Sequence, residues 1–287
     1  MVRRTVVHEG KGGLAIRRPQ TVLALLTALN LLNYVDRTVL SAVLAPVQDD
    51  LHLSYFVAGW LPTIFLIGYF GTSPVFGSLG DRAAHRGRMR LIAIGIAVWS
   101  AATVASGFAQ GAVSLVVARA FVGVGEASYA AIAPTIIDDF APREQKSRWL
   151  GIFYAAIPIG SALGYLVGGA VLHAHGWRSA FFVAGGPGLV VGLFCLLIAA
   201  PESPTAQAEK RAPLQAKAVG GLGEAAAALA AVPLYRSTVL GYCAYTFALG
   251  GFAYWAPAYL HRQYGIEAGH ASIVFGLITV CGGVGGT

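Results

Sequence analysis

The sequence has 287 residues, of which 56% are hydrophobic and 11% charged, with a formal net charge of +7 and a mean hydropathy of +0.65. A soluble domain carries about 25% charged residues, so a chain this apolar cannot cover a water-facing surface and is read as membrane-embedded. The positive charge does not indicate nucleic acid, because it lies in short loops between apolar runs rather than on one face.

In chain order, residues 1–20 are expected to form a tail holding Arg3, Arg4, Lys11, Arg17 and Arg18, and no cleavable signal peptide is expected, because the first apolar run is long enough to stay as a helix. Eight apolar runs follow, at approximately 21–46, 54–79, 90–109, 112–138, 148–173, 178–199, 234–260 and 270–287. Each is close to the ~20 residues that a spanning helix needs. Only helices satisfy their backbone inside lipid at that length, so the expected fold is all-α. The first six runs, 21–199, are expected to make a six-helix bundle. Residues 200–233 are polar and rich in Pro and Ala; they read as a cytoplasmic linker whose stretch GEAAAALAAV, 223–232, forms a short helix on the membrane surface. Residues 234–287 then read as the first two helices of a second, incomplete bundle, because the sequence stops at CGGVGGT inside an apolar run. Cys195, Cys243 and Cys281 all lie in apolar runs and form neither metal nor disulfide spacing. His173 and His175 stand near a loop without further ligands in sequence, so no metal is expected.

Orientation follows from Lys and Arg. Sixteen of the twenty lie in the tail, the 2–3 loop, the 4–5 loop and the linker; only Arg178 and Arg262 lie on the other side. The N-terminus is therefore expected to be cytoplasmic, in a cell membrane. Arg37 and Arg119 are inside spans.

The stretch FVGVGEASYAAIAP, 121–134, is small and apolar yet contains Glu126. A charge at the bilayer centre costs at least about 2.5–3.5 kcal/mol, so such residues normally face a cavity or a partner. Counting along the helices puts Glu126 near the midplane and Arg119 seven residues outward on about the same face. Asp36 of the first helix comes to a depth similar to Arg119. Arg119 is expected to pair with Asp36 or with an anionic substrate group, and Glu126 to be a protonatable switch. Arg37 directly follows Asp36 and points to another sector of its helix. Asn33, Tyr34, Ser128, Tyr129, Tyr154, Ser161 and, from the second half, Tyr245 supply polar and aromatic groups for a cavity. All these charges are expected to look into one water-accessible vestibule.

GSLGDRAAHRGRMR, 77–90, resembles the G-x-L-x-D-R signature of the major facilitator superfamily, twelve-span secondary transporters. LVVARAFVGVGEA, 115–127, is similar to the family's second motif, and GSALGYLVGG, 160–169, to its glycine-rich motif, with Tyr165 where proline is expected. More narrowly, NYVDRTVLSAVLAPVQDDLHLS (33–54), RAFVGVGEASYAAIAPTIIDDF (119–140) and FYAAIPIGSALGY (153–165) resemble the Spinster branch, linked to lysolipid and sphingolipid transport. The resemblance implies a major facilitator fold of two six-helix bundles, and a latch in the 2–3 loop formed by Gly77, Asp81, Arg82 and Arg88. Asp138, Asp139 and Arg148 flank the next loop on that side and can join it.

The reading is a monomeric secondary transporter, proton-coupled, moving an amphipathic solute across the bilayer without a cofactor. A carrier of a small polar organic anion or sugar is the alternative within transport, and a non-transporting scaffold or receptor the alternative outside it. No nucleotide-binding loop and no nucleophile–base pair is evident, so neither a pump driven by ATP nor an enzyme is expected.

Overall fold

A computed structural model describes residues 14–15, 19–83, 85–199 and 222–285. The described residues form ten α-helices: α1 Pro19–Ala42, α2 Leu44–Asp50, α3 Tyr55–Arg82, α4 His85–Gly107, α5 Ala112–Phe140, α6 Lys146–His175, α7 Trp177–Leu197, α8 Leu222–Ala230, α9 Pro233–Tyr264 and α10 Ala268–Gly285. By length and apolarity four described segments can cross a membrane, Tyr55–Arg82, Gly87–Gly107, Ala112–Phe140 and Arg143–His175; Ala268–Gly282 is a shorter apolar helix. The expected all-α class holds apart from a two-residue parallel pairing of Leu14–Ala15 with Ile198–Ala199. Most of the expected 200–233 linker lies outside the described residues; within it, α8 covers Leu222–Ala230.

Helix ends follow local chemistry. Ser54 caps α3 by accepting the Val57 amide at 3.3 Å. Gly265 ends α9 in the left-handed conformation at φ 67°, which glycine adopts without a Cβ penalty. The first apolar run, expected as one span, is instead broken at Val43 between α1 and α2. Pro46 is the physical reason: it has no N–H, and its ring crowds the carbonyl four residues earlier, at Ala42.

The packing pairs α3 with α5, α1 with α6, α4 with α7, and α6 with α10. Close approach relies on glycine at α5. A Cβ at Gly123 would run into the Phe65 carbonyl of α3, and one at Gly125 into Trp99 and Gly95 of α4. Two apolar clusters result. One holds Leu26, Leu29, Ile92, Trp99, Val122, Ile132 and Trp149. The other holds Val39, Val43, Leu44, Leu61, Leu115, Phe181 and Tyr254. The chain passes from one cluster to the other between Leu29 and Val35 on α1, between Ala102 on α4 and Ala109 just beyond it, and between Leu115 and Val122 on α5, the stretches that hold the buried Asn30, Asn33, Thr103, Ser106 and Arg119.

The α3–α4 and α5–α6 connections, rich in arginine, share one face. The α2–α3, α4–α5, α6–α7 and α9–α10 connections share the distal face. Helix α9 is exposed along residues 233–252 and buries Tyr254, Ala256, Pro257 and Ala258 near its distal end. There it meets α1–α7 through hydroxyl groups. Tyr254 Oη donates to the Ala58 carbonyl at 2.7 Å, Tyr165 Oη to the Ala253 carbonyl at 2.8 Å, and Ser272 Oγ to the Ala42 carbonyl at 2.6 Å. Each acceptor lies four residues before a proline: Pro62, Pro257 and Pro46. Proline removes the N–H that would take that carbonyl inside the helix, and in a membrane a neighbouring side chain must take it instead. Three prolines thus create three acceptors in the seam between α1–α7 and α9–α10.

Candidate functional site: a charged layer within the bundle

The buried layer is assembled by α1, α4 and α5. Glu126 is 0% exposed, Asp36 1% and Arg119 2%. Arg37, whose side chain is 29% exposed, is the charged member open to the outside. Its Nη2 lies 2.5 Å from Glu126 Oε2 and its Nε donates to the same oxygen at 3.1 Å. The guanidinium also stacks on three rings, 4.9 Å from the centroids of Tyr34 and Phe65 and 5.3 Å from Tyr69. Such cation–π contacts hold a partly desolvated cation in place. Arg37 therefore does point to a sector distinct from that of Asp36, but that sector contains Glu126.

Asp36 turns to α4, where Thr103 Oγ1 donates to its Oδ1 at 2.5 Å. Arg119 donates from Nη2 to Ser106 Oγ at 3.2 Å and its guanidinium lies 5.5 Å from the Phe181 ring. The expected Arg119–Asp36 ion pair is thus replaced by two charge–hydroxyl contacts; no salt bridge within 4.0 Å joins them among the described residues. The expected shared vestibule is corrected too. Asp36, Arg119 and Glu126 are enclosed by helix packing, and of the four charged residues Arg37 alone keeps partial exposure. One polar atom of each remains without a hydrogen-bond partner among the described residues: Asp36 Oδ2, Arg119 Nε and Glu126 Oε1.

Other expected cavity residues divide. Tyr34 is half-buried beside Arg37, and Tyr154 and Tyr245 are exposed. Asn33 is buried with its Nδ2 unpartnered among the described residues. Ser161 contributes its backbone carbonyl, which accepts from Thr38 Oγ1 at 3.2 Å. Ser128 and Tyr129 are packing residues rather than cavity lining. The Ser128 hydroxyl donates to the Gly125 carbonyl at 2.9 Å, and the Tyr129 hydroxyl donates to the Leu26 carbonyl while its ring packs edge-on to Trp99. Thr103 and Ser106 were missed, although Ser100, Thr103 and Ser106 recur every third residue of α4 and mark a polar stripe in the sequence.

On the arginine-rich face, Arg88 donates from Nε to the Gly80 carbonyl at 2.9 Å and from Nη1 to Asp139 Oδ2 at 2.9 Å. Lys146 pairs with Asp138 at 2.6 Å. The expected latch is therefore built differently. Asp81, Arg82 and Arg148 are exposed and have no hydrogen bond or ion pair among the described residues. The glycine in close contact is Gly80, against Ile132, whereas Gly77 faces open space. Arg88 ties the end of α3 to the end of α5.

A bundle of apolar helices around a buried charged layer defines a class of integral membrane protein. The family model described as Major Facilitator Superfamily matches residues 26–287, and the chain belongs to this superfamily of transporters rather than enzymes. Within it, the similarity is to Spinster proteins. The chain is 37% identical to protein spinster homolog 1 of Homo sapiens, over 95% of this chain and 54% of that protein. It is 33% identical to probable sphingolipid transporter spinster homolog 2 of Arabidopsis thaliana, over 94% and 60%. The chain spans about half the length of these relatives. A crystal structure of a bacterial homolog to the human lysosomal transporter Spinster, inward-facing and unoccupied, superposes with a TM-score of 0.73 at 26% identity, covering 90% of this chain and 58% of that one. A D-xylose-proton symporter shares the fold alone, with a TM-score of 0.66 at 18% identity.

Proposed function

We propose that this chain works in a secondary transporter that moves a lysolipid, a sphingolipid or another amphipathic solute by alternating access, with protons as coupling ion. The carrying observation is the Arg37–Glu126 pair, a fully enclosed carboxylate tied to a partly exposed, ring-bound guanidinium. Protonation of Glu126 neutralises its side of the pair and frees Arg37 for an anionic headgroup; the rings of Tyr34, Phe65 and Tyr69 receive apolar parts of the same molecule. A Spinster relative named for sphingolipid transport supports the substrate class. The domain reading is part of the proposal: a tail at 1–20, a bundle at 21–199, a linker at 200–233 and the start of a second bundle at 234–287. So is the placement as a monomer in a cell membrane with the arginine-rich face cytoplasmic, supported by the Lys and Arg asymmetry.

The test is uptake into proteoliposomes containing the full-length protein. Lysophosphatidylcholine and sphingosine 1-phosphate are compared with a sugar and a dicarboxylate, with and without a pH gradient. Stimulation of a lipid by the gradient, abolished in Glu126→Gln, is expected. Transport of only the sugar or dicarboxylate would replace the substrate class. Transport whose pH dependence survives Glu126→Gln would remove Glu126 from coupling.

A further inference from the structure

The distal seam carries a second cluster of chemistry-bearing side chains, remote in role from the charged layer. His173 is in the last turn of α6, Glu267 in the α9–α10 connection and His270 in the first turn of α10. His173 Nδ1 lies 3.1 Å from both Glu267 oxygens, and His270 Nδ1 lies 2.5 Å from Glu267 Oε2. The imidazole centroids of the two histidines are 5.3 Å apart. The three ligand atoms all fall within 4.8 Å of one another.

We propose that His173, Glu267 and His270 form a divalent-cation site of the zinc type that staples the distal end of α6 to α10. Two imidazoles and one carboxylate are a zinc ligand set that leaves a fourth position for water. Glu267 and His270 are three apart, so they project to one side of the start of α10, and His173 closes the set from the other side of the seam. The backbones beneath are held at close range: a Cβ on Gly169 would meet the Gly269 carbonyl at 2.6 Å, and one on Gly269 would meet His173 Cβ at 3.1 Å. The imidazole of His173 and that of His270 are both more than half exposed, which gives a cation entry and leaves the 2.5 Å His270–Glu267 contact free to open around an ion bound at the ~2.0–2.1 Å that zinc makes with nitrogen. The distal arginines do not compete for Glu267, because Arg178 is paired with Asp50 at 2.7 Å and Arg262 with Asp49 at 2.8 Å. A bound cation adds a link to the hydroxyl–carbonyl bonds, the Arg262–Asp49 ion pair and the Gly169–Gly269 packing of the seam.

The experiment titrates ZnCl2 into the tag-free full-length protein in nanodiscs by calorimetry, with Co2+ absorption as a second readout of tetrahedral ligation. One Zn2+ per chain is expected. An outer-shell partner alone is worth about 10- to 100-fold in metal affinity, so His173→Ala, Glu267→Gln and His270→Ala are each expected to weaken binding on the order of 100-fold or more. His175→Ala, which alters an exposed neighbour outside the cluster, is expected to leave it unchanged. No saturable one-to-one binding, or equal affinity in all four variants, overturns the site. Its consequence rests on the alternating-access reading and is measured separately: Zn2+ should arrest solute movement in the parent protein and not in His270→Ala. Stoichiometric binding without arrest overturns the staple's role in gating while the site itself stands.

Discussion

Tyr254→Phe removes one oxygen from the seam and should shift a global equilibrium. The Tyr254 hydroxyl is the partner of the Ala58 carbonyl, which Pro62 has deprived of its intrahelical donor. A buried carbonyl left unsatisfied costs about 1–3 kcal/mol. That cost falls only on the conformation in which the distal seam is closed, because an open seam admits water to Ala58. The substitution should therefore move the closed-to-open ratio by roughly 5- to 150-fold. The assay is the distribution of distances between spin labels at the distal ends of α3 and α9 in the full-length protein in nanodiscs. The decisive control is Pro62→Ala, which restores an N–H to α3 and lets it hold Ala58 without help. Tyr254→Phe should then have an effect in the parent and a much smaller one in the Pro62→Ala background. Equal shifts in both backgrounds would show that the tyrosine acts through ring packing and would refute the proline-created acceptor.

Other perturbations separate the remaining contacts. Arg37→Ala leaves Glu126 enclosed and unpaired and is expected to cost ~3–5 kcal/mol, the range for breaking a buried pair. Glu126→Gln should cost less, because Arg37 keeps three ring faces and partial hydration; thermal unfolding of the purified protein checks the asymmetry, and equal losses would argue against it. Gly123→Val should prevent folding by collision with the Phe65 carbonyl, whereas Gly71→Ala, with nothing within 4 Å of its new Cβ, should be neutral or stabilising by up to ~1 kcal/mol; monodispersity on size exclusion reads both. Asp50 accepts from Arg178 and Trp177, and the Arg178 hydrogen bond holds its carboxyl below the ordinary value of 3.8. With the folded pKa depressed, its contribution is present above the unfolded pKa and is lost as pH falls through the folded one. Melting curves below about pH 4 should show a smaller acid loss in Asp50→Asn than in the parent, and an unchanged acid limb would contradict the assignment.

Much of the layer's membership was legible in the sequence. Asp36, Arg37, Arg119 and Glu126 stand out because charge inside an apolar run has no other cheap explanation. Their partners were not legible. Helical spacing gives each side chain an azimuth on its own helix, but which residue it meets depends on helix rotation and separation, set here by Gly123 and Gly125. That is why Arg37 rather than Arg119 holds Glu126, and why Asp36 bonds Thr103. The latch went the same way: of Gly77, Asp81, Arg82 and Arg88, to which the motif pointed, it is Arg88 that bonds, to the Gly80 carbonyl and to Asp139.

Sequence by itself determined that this chain resides in lipid and that its spans are helical, because hydropathy and backbone satisfaction act locally; it did not separate the break before Pro46 from the prolines that stand inside continuous helices. Only the tertiary structure decided which freed carbonyl meets which hydroxyl, and that His173 and the Glu267–His270 pair come together. Those pairings join residues up to 230 positions apart, and short-range forces recognise such partners only after the helices have packed.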